Sequence, residues 1–125
     1  MTTDVNLLST LENFLRLTTS RQQAITANMA NIDTPGYRTR DIDFEGELRK
    51  ATAASLNETQ FEGGQAQLNP ALQEVSGLME RPDGNNVNID RESLLLAQTQ
   101  LQYQIGIQLV KHHFHGLMSA INGGS

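Results

Sequence analysis

Three histidines stand close together near the carboxyl end, His112, His113 and His115, and an acidic, asparagine-rich run precedes them, Asp83-Gly84-Asn85-Asn86-Val87-Asn88-Ile89-Asp90. Histidine clusters bind transition metals, and Asp/Asn runs make calcium loops. Neither spacing suits its chemistry. On a helix, residues i, i+1 and i+3 do not converge. Only His112 and His115 share a face, and no carboxylate stands four residues beyond either of them. A calcium loop needs Gly at its sixth position and a bidentate Glu at its twelfth, where this chain carries Asn88 and Leu94. A tight turn feeding a helix is the expected structure instead. In it Gly84 and Asn85 take positive φ, and Asp90 caps the helix with Glu92 in its first turn.

The chemistry of catalysis is equally missing from the pattern. No nucleophile stands with a base, no carboxylate pair is set apart from surface charge, and no glycine loop of phosphate-binding type occurs. With no cysteine there are no thiolate nucleophiles, disulfides or Cys-ligated metals. The chain is not expected to be an enzyme, and no metal or cofactor is implied. A formal charge of −5, 5% aromatic residues and no Trp argue against a nucleic-acid binder, which needs a basic stripe and stacking side chains. The start, Met1-Thr2-Thr3-Asp4-Val5, has neither a positive n-region nor an apolar run, so no cleaved secretory signal is expected. No apolar run approaches a membrane span, the densest being Leu94-Leu95-Leu96-Ala97. Asn57-Glu58-Thr59 matches a glycosylation acceptor, which carries little meaning without a secretory signal.

The elements that must position these residues are two long helices around a non-helical middle. Residues 4–32 contain neither Pro nor Gly. Leu8, Leu11, Leu15, Ile25, Met29 and Ile32, with Thr18 and Gln22 between, recur at alternating threes and fours. That is a heptad seam over about four repeats. Thr2, Thr3 or Asp4 could cap this helix, Ser9 with Glu12 forms an alternative capping box, and Asp33-Thr34-Pro35-Gly36 stops it. The second seam is Leu96, Tyr103, Ile107, Val110, Phe114, Leu117 and Ile121, ended by Asn122-Gly123-Gly124. A further stripe, Leu94, Leu101, Ile105 and Leu109, lies on another face of the same helix, and one partner helix would not cover both.

The expected fold is therefore mainly α, with the terminal helices packed as an antiparallel coiled-coil-like pair. Its parts are an amino-terminal helix at 1–33, an extended or looped segment at 34–88, and a carboxy-terminal helix and tail at 89–125. Within the middle, 37–44 alternates as a short extended segment does, 47–56 suits a short helix, and 57–82, with Gly63-Gly64 and Pro70, reads as loop with short strands, partly disordered when alone.

Charge is unevenly spread. Only Lys111 is charged in 93–125, and only Glu12, Arg16 and Arg21 in 5–32. Outer positions that normally carry Lys and Glu read Gln98, Thr99, Gln102, Gln104 and Gln108. Amides and hydroxyls are buried at moderate cost when hydrogen-bonded. Two readings fit: the outer faces are covered by other subunits, or the chain is a Gln-rich, weakly soluble helical hairpin.

Two segments go beyond a generic helix. Ala27-Asn28-Met29-Ala30-Asn31-Ile32-Asp33-Thr34-Pro35-Gly36-Tyr37 resembles the ANxANxxTPGY signature of the bacterial flagellar rod and hook proteins, at the end of their amino-terminal helix. The run from Tyr37 to Phe44, with the Asp83-Gly84-Asn85-Asn86-Val87-Asn88-Ile89-Asp90 turn, is similar to the proximal rod members of that family. The resemblance implies a structural subunit of the proximal rod of the basal body in the periplasmic space. It implies export by the flagellar type III apparatus without a cleaved signal, and helical assembly through the terminal helices. The implied partners are other copies of the chain, rod proteins of the FlgC, FlgF and FlgG kind, and FliE with the export gate at the base, with no nucleic acid and no direct membrane insertion. Asn28 and Asn31 are suited to bonding orphan carbonyls or the turn that follows. The competing class is a helical adaptor or chaperone-like protein that binds a partner's helix.

Overall fold

The computed structural model describes residues 2–56 and 70–123. Five elements follow in order: α1 (Thr2–Ala30), β1 (Arg40–Ile42), α2 (Phe44–Leu56), β2 (Leu72–Glu74) and α3 (Ile89–Gly123). The Asn57-Glu58-Thr59 acceptor and Gly63-Gly64 lie outside the described residues.

The fold is mainly α, with α1 and α3 packed on each other and a short antiparallel strand pair in the middle. Two contacts set the direction of the helix pair. Near one end Asn28 bonds Glu92, and toward the other Gly106 lies against Phe14 and Leu15, so the helices run antiparallel. The Gly106 backbone comes so close that a Cβ there would sit 2.7 Å from Leu15 Cδ2 and 3.2 Å from the Phe14 ring. α1 also carries α2 beside α3. There Phe14 meets Phe44 edge to face, with centroids 5.5 Å apart, a geometry favoured by the ring quadrupoles.

This second neighbour changes which α1 residues are buried. The seam residues Leu11, Thr18 and Ile25 are buried, but Leu17, Ala24 and Asn28 are buried as well, while Leu15, Gln22, Met29 and Ile32 are half-buried and Leu8 is exposed. A helix covered on two sides buries a wider arc than one heptad line. On α3 the buried positions are Glu92, Thr99 and Gly106, not the apolar seam. Leu96, Ile107 and Val110 flank that line half-buried, and Tyr103, Phe114, Leu117 and Ile121 are exposed. The stripe Leu94, Leu101, Ile105 and Leu109 faces outward, at 61, 58, 50 and 49% exposure.

Several local expectations are corrected. α1 ends at Ala30, a few residues before Pro35, because its last turn tightens: the Asn31 N–H donates to both Ala27 O and Asn28 O, and Ile32 N–H to Met29 O. Ser9 and Glu12 lie inside the helix, and Glu12 pairs with Arg16 on its exposed face. α2 starts at Phe44 rather than 47, since Asp43 Oδ1 accepts the Gly46 N–H and Asp43 O the Glu47 N–H. α3 starts at Ile89, and its cap is Asn88, whose Oδ1 accepts from the Asp90 and Arg91 N–H groups, with Asp90 already inside the first turn. Positive φ at the turn belongs to Gly84 alone (87°), while Asn85 keeps ordinary φ.

Strands β1 and β2 pair antiparallel, Arg40 with Glu74, Asp41 with Gln73 and Ile42 with Leu72. Ile42 turns into the core beside α1, and β2 is exposed throughout. In α1 the hydroxyls of Thr10, Thr18, Thr19 and Thr26 each donate to the carbonyl four residues back, which buries their polarity in the helix's own backbone.

Candidate functional site

The two singled-out motifs lie on top of each other. Gly36, at the exit from α1, has φ 75°, and Gly84, in the later turn, has φ 87°. A Cβ on Gly84 would lie 3.4 Å from Gly36 Cα, so each turn leaves room for the other. The Gly36 N–H donates to Asp83 O at 2.8 Å, and Asn86 N–H to Tyr37 O at 3.4 Å. Arg38 reaches back to Gly84 O, and its guanidinium pairs with Glu80.

Asn85 closes the turn that follows α1. Its Nδ2 donates to the carbonyls of Asn31, Ile32 and Thr34 at 2.9, 3.0 and 2.9 Å, and its Oδ1 accepts from the Val87 N–H at 2.8 Å. Arg81 also donates to Ile32 O. Those carbonyls belong to the turn that follows α1, where the Asn31 and Thr34 oxygens also accept the Thr34 and Tyr37 N–H groups. A fully buried amide from 54 residues downstream pins that turn against the second motif. Asn85 is itself held by an Asx turn, its N–H donating to Asp83 Oδ1. Asn86, next along, accepts the Thr39 N–H on its Oδ1 at 2.7 Å.

Asn28 is the second hub. It is 1% exposed, and its side-chain amide is saturated. Oδ1 accepts from the Tyr37 hydroxyl at 3.0 Å and the Arg40 N–H at 3.1 Å; Nδ2 donates to Arg40 O at 2.8 Å and to Glu92 Oε2 at 3.2 Å. Towards β1 the amide thus behaves as a neighbouring strand would, taking both backbone groups of Arg40. Glu92, fully buried, has its other oxygen on Arg91 Nη1 at 2.7 Å. Arg91 continues to Asp41 Oδ2 at 3.9 Å, and Arg21 reaches the same oxygen at 3.0 Å. An alternating chain of charge, Arg21, Asp41, Arg91 and Glu92, therefore ties α1, β1 and α3 together. Buried charges are tolerated in this way, with each oxygen partnered.

The remaining motif residues fall around these hubs. Asn31 Nδ2 donates to Ala27 O of its own helix, and its Oδ1 accepts from the Thr34 hydroxyl. Pro35 is exposed, Val87 is buried beneath the turn, and Asp90 stands exposed at the start of α3. The sequence offered Glu92 only as a first-turn carboxylate and Asn88 only as part of the turn, and it gave no ion-pair role to Arg91, Asp41 or Arg21, although Arg91 beside Glu92 marks charge at a helix start. His112 and His115 are exposed and His113 half-buried, and among the described residues no three His, Asp or Glu side chains are grouped to hold a metal. Among the described residues no helix is long and apolar enough to cross a membrane. Two surface grooves, one lined by Glu12, Leu15, Arg16, Thr19, Ser20 and Tyr103, the other along α2, are shallow and open to solvent. The arrangement is suited to holding chain segments at fixed angles, not to turning over a substrate.

Residues 8–38, covering most of α1 and the whole first motif, match the family of flagella basal body rod proteins. The chain is 36% identical to the flagellar basal body rod protein FlgB of Salmonella typhimurium over an alignment of 123 positions covering 89% of each. It is 37% identical to that of Cereibacter sphaeroides over 116 positions, covering 87% of this chain and 88% of the relative. It is 29% identical to that of Bacillus subtilis over 121 positions, covering 94% of each.

Proposed function

The chain belongs to the FlgB family of flagellar basal body rod proteins, and from that premise we propose that it builds the proximal rod by helical assembly through the outer faces of α1 and α3. It is a structural subunit of the rod, not an enzyme, and it associates with other rod components. One observation carries the assembly reading. The face of α3 that bears Leu94, Leu101, Ile105 and Leu109 is largely apolar, broken by Gln98, and each of the four is about half exposed or more. Charge on that helix between 93 and 123 is confined to Lys111, counting His as neutral. Exposed apolar surface on this scale marks an interaction site.

In the assembled state the stripe meets helices of neighbouring subunits, both other copies and rod proteins of the FlgC, FlgF and FlgG kind, with FliE and the export gate at the base. The subunit reaches the periplasmic rod through the flagellar type III apparatus. The motif clasp holds the middle segment at a fixed angle to the helix pair, so that each subunit presents the same outline to its neighbours.

The test is a Leu101→Asp/Ile105→Asp variant in a strain whose own gene is deleted. Both positions are exposed, so the free chain should keep its helicity, while rods and swimming are lost because two charges enter an interface. Intact rods and normal swimming would overturn the reading. A stable complex of fixed stoichiometry with one partner, formed without polymerisation, would favour the adaptor class.

A further inference from the structure

Helix α3 turns a line without a large apolar side chain toward its own partner helix. The buried residues Glu92, Thr99 and Gly106 recur every seven positions, whereas Leu94, Leu101, Ile105 and Leu109, at 3.6 residues per turn, fall on roughly the opposite side. Hydrophobic burial alone would favour the reverse orientation, with the leucine stripe against α1. Something specific must hold the observed one.

We propose that Glu92, Thr99 and Gly106 form a rotational lock that fixes which face of α3 meets α1 and thereby keeps the apolar stripe outward for assembly. The proposal rests on the rod-assembly reading for the purpose of the stripe, but the lock itself is a property of the single chain.

The two ends of the line act differently. At Glu92 the lock is polar: the carboxylate meets Asn28 at 3.2 Å and Arg91 at 2.7 Å, and turning α3 over would strand the buried Asn28 donor. At Gly106 the lock is steric. Leu15 and Phe14 lie where a Cβ would be, at 2.7 and 3.2 Å, so only this face of α3 permits so close an approach. Between them Thr99 is buried at 1% exposure with its hydroxyl returned to Leu95 O at 2.6 Å, so it adds no polar demand on α1. A single polar position in an otherwise apolar helix pair is known to fix register at the expense of stability.

Because the chain has no cysteine, thiol labelling reads the rotation directly. Single substitutions Leu101→Cys, on the outward stripe, and Leu96→Cys, beside the buried line, are placed in the full-length chain and in the Glu92→Leu/Gly106→Leu variant. In the native background position 101 should label at least about tenfold faster than position 96. In the variant the ratio should fall towards one or invert while helicity is kept. Glu92→Gln, which retains an acceptor for Asn28, should keep the native ratio. An unchanged ratio in the helical variant would overturn the proposal. Equally fast labelling of both sites in the native background would also overturn it, because the seam then holds nothing. If the double variant loses its helicity, the single Glu92→Leu decides between blurred and unchanged ratios. Loss of helicity there too would count against a lock that selects between two packed arrangements. Assembly separates the two readings: native labelling ratios in a Leu94→Gln/Ile105→Gln chain that builds normal rods would sink the assembly role of the stripe and leave the lock standing.

Discussion

Asn28 donates a hydrogen bond to Glu92 across 64 residues of sequence, and both side chains are all but completely buried. The bond joins the end of the first helix to the beginning of the last, and the same amide holds both backbone groups of Arg40. Asn28→Ala should therefore destabilise the fold by about 3 kcal/mol, since it strands several buried groups at roughly 1–3 kcal/mol each before relaxation. Denaturant unfolding with an unchanged m-value checks it; a loss below about 1 kcal/mol would mean water replaces the amide.

Asn85 gives a sharper contrast. Asn85→Ala removes one donor from three carbonyls and should cost about 2 kcal/mol. Asn85→Asp is nearly isosteric but sets carboxylate oxygens against those carbonyls, and should cost at least about 1 kcal/mol more. Equal melting curves for the two variants would show that donation is not what the position supplies.

The glycine pair separates conformation from space. Gly36 has positive φ with nothing near its absent Cβ, so Gly36→Ala should cost about 1 kcal/mol and Gly36→Asn less. Gly84→Val adds contact with Gly36 to the same strain and should cost at least about 2 kcal/mol. Thermal unfolding of the three variants in one buffer ranks them.

Charge pairs in the two settings should behave differently. Glu12 and Arg16 are about half exposed, and Glu12→Ala should change stability by no more than about 0.5 kcal/mol. Asp41 is largely covered and faces both Arg21 and Arg91, so Asp41→Ala should cost about 2 kcal/mol. Chemical denaturation of both variants at low and high salt checks the contrast.

Amide exchange along α3 should be graded in the free chain. Protection is expected to be strongest between Glu92 and Gly106, where the helix is buried against α1, and weakest beyond Val110, where the surface is open. Uniform protection to Gly123 in a verified monomer would contradict this gradient.

Much of the architecture was written locally. The Pro- and Gly-free span of α1, the apolar repeats of α3 and the Pro35-Gly36 and Asp83-Gly84 turns are short-range patterns, and sequence reading recovered the helix pair from them. Glu92 shows where that kind of reading stops. In the sequence it is a carboxylate well placed for a helix dipole; in the fold its partner Asn28 is 64 residues away, and nothing nearby announces its burial. Leu17 makes the same point for packing, since its complete burial depends on α1 being covered on two sides. Asn85 was expected to make a turn by its own backbone. Its side chain instead pins a distant turn, a role fixed only once the two motifs meet.

That distant amide has a consequence in time. A chain made amino end first closes the last carbonyls of α1 with Asn31 and Ile32, but the group that pins the turn beyond them arrives only with Asn85. Until then the exit turn can swing. Completing the angle between helix and middle segment is therefore a late event in the life of the chain. It waits on more than fifty further residues, and any truncation short of Asn85 leaves that angle unset.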